Sequence, residues 1–343
     1  MKTYRMIFMY HEIFGVCFVP NIKTIVPHER GYYFIKTNSR GMRSSKEYNV
    51  EPDPRIYRIL VFGDSYSAGD GVSNEERFTD ILEDAEEKLE VLNFGLSSSG
   101  IDQQLLIFEN LGQSFGGDML LLCFSVEDIN RISGGYRAHG SRVTGESILV
   151  PKPYFTIING DLQLQHVPVP KERFLLSDAP KEIIAQMTKD SQYPKIPIAI
   201  YSFLDKFMFP LKDPFIRFFH VYKFFHPYPQ YDSQNHPDWL LMKALLKRFA
   251  DLAGLRKVVL APLPTYHCIE NLIRPNYVER FRELAEEDSR FDFINLLPYF
   301  HELSPKVRRQ CRYERDFHFT PLAHSIIAKA LYTELFHQML FKE

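Results

Sequence analysis

The stretch that decides the fold is Arg58-Ile-Leu-Val-Phe-Gly-Asp-Ser-Tyr-Ser-Ala-Gly-Asp-Gly71. Its apolar run from Ile59 to Phe62 predicts a strand that is buried on both faces of a parallel sheet. Gly63-Asp-Ser65 ends the run, and a helical pattern follows over about residues 75–89. Parallel sheets place their functional sites where such strands end, and backbone N–H groups at a helix start can stabilise a developing negative charge. The alternative is an ordinary strand-to-helix turn with a capping serine.

The same alternation of strand and helix continues outside the middle of the chain. Short apolar runs predict further strands at 90–95, 118–124, 257–262 and 291–296. Helical spacing of apolar residues predicts helices at 103–111, with Asp102 as N-cap, and at 240–255, 276–289 and 325–341. Strand–helix alternation of this kind gives a parallel sheet with helices on both faces.

Composition excludes several function classes. The 343 residues carry a net charge of −2, so no basic field points to a nucleic-acid partner. Four cysteines lie without metal-ligand spacing, a pattern typical of a reducing compartment. The apolar segment 6–19 is interrupted by His11 and Glu12 and is too short to span a bilayer. We therefore expect a cytoplasmic chain in which this segment packs on the main domain, with a membrane-surface anchor as the alternative.

The middle of the chain differs from the rest in composition and pattern. Asn159-Gly160 between two alternating segments predicts a β-hairpin of residues 154–158 and 161–165. Phenylalanine, tyrosine, histidine and proline then crowd residues 203–239. We interpret 132–237 as an aromatic-rich insertion that forms either a wall for an acyl or sugar group or a secondary core or protein interface, including a homo-oligomer contact. The predicted domains are an N-terminal extension (1–54), a core (55–131 with 238–343) and this insertion.

Two blocks of the core resemble the SGNH (GDSL-type) hydrolases. Phe62-Gly-Asp-Ser-Tyr-Ser-Ala-Gly69 is similar to the first conserved block of that family, and Asn93-Phe-Gly95 to the second. The resemblance implies that Ser65 is the nucleophile and that its backbone N–H belongs to the oxyanion hole. It also implies that Gly95 donates a second backbone N–H, a role suited to glycine because its backbone can approach a substrate closely. Alone, Gly95 could be an ordinary strand-ending glycine.

The third block departs from the family pattern. It usually contains Gly-x-Asn-Asp, whose asparagine donates to the oxyanion, but here Glu127 occupies that position and Asp128 matches the aspartate. An ionised carboxylate has no proton to donate and would repel an oxyanion. Three explanations stay open at this point: Glu127 is protonated, Asn130 replaces it as donor, or the reaction differs.

The last block resembles the family's Asp/His segment before the final helix. It spans Arg315-Asp-Phe-His-Phe-Thr-Pro-Leu-Ala-His324, with one residue between Asp316 and His318 where two are common. The resemblance implies that His318 takes the proton of Ser65 and that Asp316 orients it. We expect His324, at the start of the helix, to be structural.

A turn-rich segment before the serine block, Thr37-Asn-Ser-Arg-Gly-Met-Arg43, also resembles a subset of these proteins. We assign it no role and expect a surface turn with Gly41 at positive φ.

The family as a whole implies a flavodoxin-like three-layer α/β/α fold of about five parallel strands, without a cofactor or metal. It implies a serine esterase that works through an acyl-enzyme on an O-acylated small molecule or glycan. An O-acyltransferase, or a non-catalytic carbohydrate- or partner-binding protein suggested by Glu127, is the alternative. A nicotinamide or P-loop site is excluded because neither Gly-x-Gly-x-x-Gly nor Gly-Lys-Ser/Thr follows a strand.

Overall fold

The structure, a computed structural model, describes residues 7–140, 146–192 and 226–339. Its strands are β1 (Phe8–His11), β2 (Gly15–Phe18), β3 (Lys23–His28), β4 (Gly31–Lys36), β5 (Tyr57–Phe62), β6 (Leu89–Asn93), β7 (Met119–Leu122), β8 (Tyr136–Gly140), β9 (Ser147–Pro151), β10 (Tyr154–Ile158), β11 (Asp161–Gln165), β12 (Phe174–Leu175), β13 (Lys257–Leu260) and β14 (Phe291–Phe293). Its α-helices are α1 (Ser65–Ala68), α2 (Phe78–Asp84), α3 (Ile101–Asn110), α4 (Lys181–Ile184), α5 (Lys189–Gln192), α6 (Pro237–Ala253), α7 (Tyr266–Ile269), α8 (Tyr277–Glu287), α9 (Leu297–His301), α10 (Pro305–Arg309) and α11 (Pro321–Met339). Short 3₁₀ helices cover Asn74–Glu76, Gly112–Ser114, Val126–Asn130 and Pro229–Asp232.

A five-stranded parallel sheet in the order β14-β13-β7-β5-β6 forms the centre of the fold. The apolar run Ile59–Phe62 lies in β5 and is fully buried, as its continuous apolar sequence requires. Helix α2 packs against α11, and α3 packs against α6. The predicted three-layer α/β/α class with five parallel strands is confirmed.

Two local predictions around the sheet are wrong. The helix expected for about residues 75–89 is a 3₁₀ turn followed by α2, which ends at Asp84, because β6 already begins at Leu89. Asp102 is not the N-cap of α3, since Gly100 holds that position. The Asp102 carboxylate instead forms a buried ion pair with Lys152. A buried carboxylate requires such a cation, so tertiary pairing rather than capping explains this residue.

The N-terminal residues form two antiparallel hairpins. The apolar segment is the hairpin β1–β2, in which Phe18 is buried in the main core. The second hairpin pairs β3 with β4, and His28 lies opposite Gly31. Within the described part of the chain, no helix is both long enough and apolar enough to cross a membrane.

The described part of the insertion contains the predicted β10–β11 hairpin with the expected register, Ile158 opposite Asp161. The two turn residues have φ of 54° and 90°, as a type I′ turn requires. The aromatic stretch 203–225 lies outside the described residues. Farther along, Tyr231 and Trp239 are buried in the main core, and the Tyr231 hydroxyl donates to the Val126 carbonyl at 3.0 Å. These two aromatics therefore belong to the core and do not form a substrate wall.

We predict that Gly63→Ala, a substitution directly after β5, destabilises the protein. A Cβ at this position would lie 1.9 Å from the carbonyl oxygen of Cys123 in the neighbouring strand segment. The free energy of unfolding, measured by urea denaturation, should fall by about 1–3 kcal/mol or more. Gly140→Ala is the matched control, because a Cβ there meets no atom of the described residues within 4 Å. Equal stabilities for the two variants would show that the close approach of Gly63 to the Cys123 carbonyl does not require a glycine.

Candidate active site

Ser65 is the first residue of α1, directly beyond the carboxyl end of β5. Asp64 caps the helix, and its carboxylate accepts the N–H of Tyr66 at 3.0 Å. Gly69 ends the helix in the left-handed conformation with φ of 81°. The short helix thus presents the Ser65 hydroxyl at the edge of the sheet, where parallel folds place their sites.

The structure brings Ser65, His318 and Asp316 together, although 253 residues separate the serine from the histidine. The Ser65 Oγ lies 2.8 Å from His318 Nε2, and His318 Nδ1 lies 3.0 Å from Asp316 Oδ2. Both distances are within hydrogen-bond reach, as a nucleophile, its base and an orienting acid require. The short Asp-x-His spacing is accommodated because Phe317 adopts φ of 65°.

The charge on Asp316 decides where the protons of the site lie. Burial raises the pKa of Asp316, but hydrogen bonds from His318 and His28 outweigh burial and hold that pKa below its ordinary value of 3.8. The ionised carboxylate can only accept, so His318 Nδ1 carries a proton, and in the neutral ring the Nε2 lone pair faces Ser65. Burial lowers the pKa of His318, yet its bond to Asp316 and the charge of Asp70 raise the pKa above 6.5.

Glu127 is held as an ion-paired acceptor. Its Oε2 lies 3.1 Å from Nη2 of Arg131, and its Oε1 accepts from the Tyr228 hydroxyl at 3.3 Å. Asn130, the suggested substitute, donates to the carbonyl of Pro227 at 3.3 Å. Neither side chain is therefore placed as the amide donor that the family pattern expects.

The backbone N–H of Gly95 already has an acceptor, since it donates to Asn93 Oδ1 at 2.8 Å. The glycine itself is required by packing, because a Cβ would lie 2.7 Å from the N atom of Ala68. To serve as an oxyanion donor, Gly95 would have to exchange Asn93 for the substrate. Of the two predicted backbone donors, the Ser65 N–H has no acceptor among the described residues.

Arg131 connects the nucleophile loop to the segment that follows β7. Its Nη1 lies 2.8 Å from Asp64 Oδ2 and 2.8 Å from Asp128 Oδ1, and both aspartates are fully buried. Sequence reasoning gave this arginine no role. The sequence does contain a signal for these ion pairs. Arg131 follows Asp128 by three residues and Glu127 by four, and side chains at such spacings can pair within a helical turn.

Arg43 secures the other end of α1. The guanidinium is 1% exposed, and its Nη1 donates to the carbonyls of Ala68 at 2.7 Å and Gly69 at 2.6 Å. The expected positive φ at Gly41 is present, at 74°. The segment is not only a surface turn, because its last residue, Arg43, is buried against α1. Nothing in the spacing of the sequence indicates these backbone acceptors.

His324 is buried away from the serine. Its Nδ1 accepts the N–H of Phe78 at 3.2 Å, and its ring stacks on that of Phe78. Burial lowers the pKa of His324 to about 3, so the ring is neutral. This histidine joins α2 to α11, a structural position.

Comparison with known proteins finds no matching family model and no matching curated sequence. Solved structures do align with the chain. One is a member of the lipolytic protein G-D-S-L family from Veillonella parvula, with 13% identity, 82% of this chain and 100% of that chain covered, and a TM-score of 0.41. Another is the acetylxylan esterase Axe2 from Geobacillus stearothermophilus, with 14% identity, 82% and 96% covered, and a TM-score of 0.41.

A third is the lipase/acylhydrolase from Enterococcus faecalis, with 10% identity, 83% and 97% covered, and a TM-score of 0.39. The first of the three is described as a member of the G-D-S-L family, the family that the sequence blocks resemble. Likeness of this degree identifies no activity, so the functional argument rests on the geometry around Ser65.

We predict that Arg131→Leu is strongly destabilising, because it removes the guanidinium that pairs with the buried side chains of both Asp64 and Asp128. Loss of one partner from a buried ion pair typically costs about 3–5 kcal/mol. Urea denaturation should show a loss of this size, whereas Arg248→Leu, which removes a half-exposed pair with Glu109, should cost about 1 kcal/mol or less. A small loss for Arg131→Leu would show that the two aspartates do not depend on it.

Proposed function

We propose that the chain is a serine esterase that acts through an acyl-enzyme on an O-acylated small molecule or glycan. The observation that carries the proposal is the line of contacts from Ser65 Oγ to His318 Nε2 at 2.8 Å and from His318 Nδ1 to Asp316 at 3.0 Å. A neutral imidazole with its lone pair on the serine hydroxyl is a base in position to activate a nucleophile. The O-acyl substrate class follows from the family resemblance alone.

The proposed reaction has two halves. The Ser65 oxygen bonds to the acyl carbon while His318 Nε2 takes the hydroxyl proton. The ester bond between the acyl carbon and the alcohol oxygen then breaks, and the alcohol leaves with that proton. In the second half, water adds to the acyl carbon, gives its proton to His318 and releases the acid as the Ser65 hydroxyl re-forms. Asp316 stays ionised throughout and stabilises the imidazolium that forms in each half.

Stabilisation of the oxyanion depends on the backbone in this proposal. The Ser65 N–H is available, and the Gly95 N–H joins it if the substrate oxygen displaces Asn93 Oδ1. The ion-paired Glu127 takes no part. Transfer to an alcohol acceptor would use the same acyl-enzyme. An O-acyltransferase would differ only in that an alcohol, and not water, attacks the acyl-enzyme.

We predict that Ser65 and His318 are essential, whereas His324 is not. Turnover of p-nitrophenyl acetate should fall about a thousandfold or more in Ser65→Ala and in His318→Asn. Labelling by a fluorophosphonate should be lost in Ser65→Ala. His324→Asn is the matched control, because its contact is with the Phe78 backbone, and it should keep turnover while lowering the melting temperature.

Turnover that survives Ser65→Ala would reject this nucleophile. Absence of both turnover and Ser65-dependent labelling in the natural protein would favour the non-catalytic binding alternative. Added acceptor alcohols separate the remaining two activities, since an acyltransferase should form new ester faster than it releases acid.

We predict that kcat/KM depends on one protonation with its midpoint above pH 6.5, the ordinary pKa of histidine, because the pKa of His318 is raised. His318 must be neutral to accept the Ser65 proton, so activity is lost as the pH falls through that midpoint. Asp316→Asn removes the charge that raises the pKa, so the midpoint should move to lower pH while the rate drops roughly 10⁴-fold. A midpoint that does not respond to Asp316→Asn would contradict the assignment.

A further inference from the structure

A second histidine contacts the acid of the proposed triad. His28, the last residue of β3, places Nε2 3.0 Å from Asp316 Oδ2, the same oxygen that lies 3.0 Å from His318 Nδ1. The His28 side chain is 7% exposed, so this contact is shielded from water. Because the pKa of Asp316 is lowered, the carboxylate accepts from both rings, and His28 must carry its proton on Nε2.

The His28 ring is held by aromatic edges. It makes a T-shaped contact with Tyr313 at 4.3 Å and with Tyr33 at 5.8 Å between ring centroids. Tyr33 belongs to β4, the partner strand of the same hairpin, and Tyr313 lies in the loop before Asp316. The two contacts leave the ring little freedom to turn its Nε2 away from the carboxylate.

The next residue in the chain, Glu29, binds the backbone of the Asp316 loop. Its carboxylate accepts the N–H groups of Glu314 at 2.7 Å, Arg315 at 2.8 Å and Asp316 at 3.1 Å. Hydrogen bonds to a charged acceptor are stronger than neutral ones. The tip of the β3–β4 hairpin therefore contacts both the side chain and the backbone of Asp316.

We propose that His28 is a positioning residue for Asp316, and that the hairpin tip of His28 and Glu29 is part of the active site. The catalytic consequence rests on the proposed esterase function. Two donors on one carboxylate oxygen fix the rotamer of Asp316, and this rotamer in turn fixes the tautomer and orientation of His318. Without the His28 donor, Asp316 keeps its charge but loses one of the two imidazole contacts that hold its carboxylate against His318 Nδ1.

Two variants of the full chain separate the hydrogen bond from the ring packing. His28→Phe keeps a ring between the tyrosines but has no donor, whereas His28→Gln loses the ring but carries an N–H at similar reach. For p-nitrophenyl acetate we expect kcat to fall about 10- to 100-fold in His28→Phe with KM unchanged, as for other residues that orient a catalytic group. His28→Gln should retain kcat within about threefold of the natural protein, even where its melting temperature is lower.

A second readout does not depend on ester turnover. The His318 Nδ1–H should give a downfield proton resonance in NMR spectra that disappears in Asp316→Asn. We expect His28→Gln to keep this resonance and His28→Phe to broaden or lose it. If the natural protein has no esterase activity, the proposed function fails while the resonance still tests the position of Asp316.

The reverse pattern would overturn the proposal. Retained kcat and resonance in His28→Phe, with losses in His28→Gln, would mean that His28 acts through its ring alone. Equal losses in both variants, in step with their melting temperatures, would make His28 a purely structural residue.

Discussion

The geometry of the site depends on one buried cation. Asp64 is fully buried at the N-terminus of α1, and a carboxylate in that environment is stable only when it is paired and hydrogen-bonded. The Tyr66 N–H and the guanidinium of Arg131 supply those partners. Because Arg131 also binds Asp128, the loop after β5 cannot shift without disturbing the segment after β7. The position of Ser65 is thus determined by a network that reaches beyond its own loop.

A second guanidinium acts at the opposite end of the same helix. Helix α1 has four residues, too few to be stable without tertiary contacts. Arg43 binds the carbonyls of Ala68 and Gly69, where the helix dipole favours a cation. Burial and the neighbouring Arg77 lower the pKa of Arg43 to about 10, so the group remains charged at neutral pH. Arg131, acting through Asp64, and Arg43 thus hold the two ends of α1 and keep Ser65 at the edge of the sheet.

The sequence predicts most of the sheet and part of the site, for different physical reasons. Continuous apolar runs predict buried strands, and two short sequence blocks predict Ser65 and the Asp316/His318 pair, because these features are local. The contact between His28 and Asp316 joins residues 288 positions apart, and no local pattern indicates it. The hydrogen bond from the Gly95 N–H to Asn93 is easier to predict, since asparagine side chains commonly accept the N–H two residues onward.

The short Asp-x-His spacing explains why the N-terminal hairpin matters to a site that lies near the other end of the chain. Phe317, the one intervening residue, adopts φ of 65°, which costs a non-glycine residue roughly 1–2 kcal/mol. Such a conformation persists only where surrounding contacts over-determine it. The Phe317 ring stacks on Tyr266 at 5.0 Å, and Glu29 binds the three preceding backbone N–H groups.

The second of these constraints comes from residues that the sequence alone suggests are an extension packed on the core. The hairpin contributes a carboxylate to the backbone and an imidazole to the side chain of one loop, and both act on Asp316. With these contacts in place, Asp316 Oδ2 lies 3.0 Å from His318 Nδ1 despite the short spacing. The N-terminal hairpin therefore supports the loop that carries the altered spacing, through the side chain of Asp316 and through its backbone.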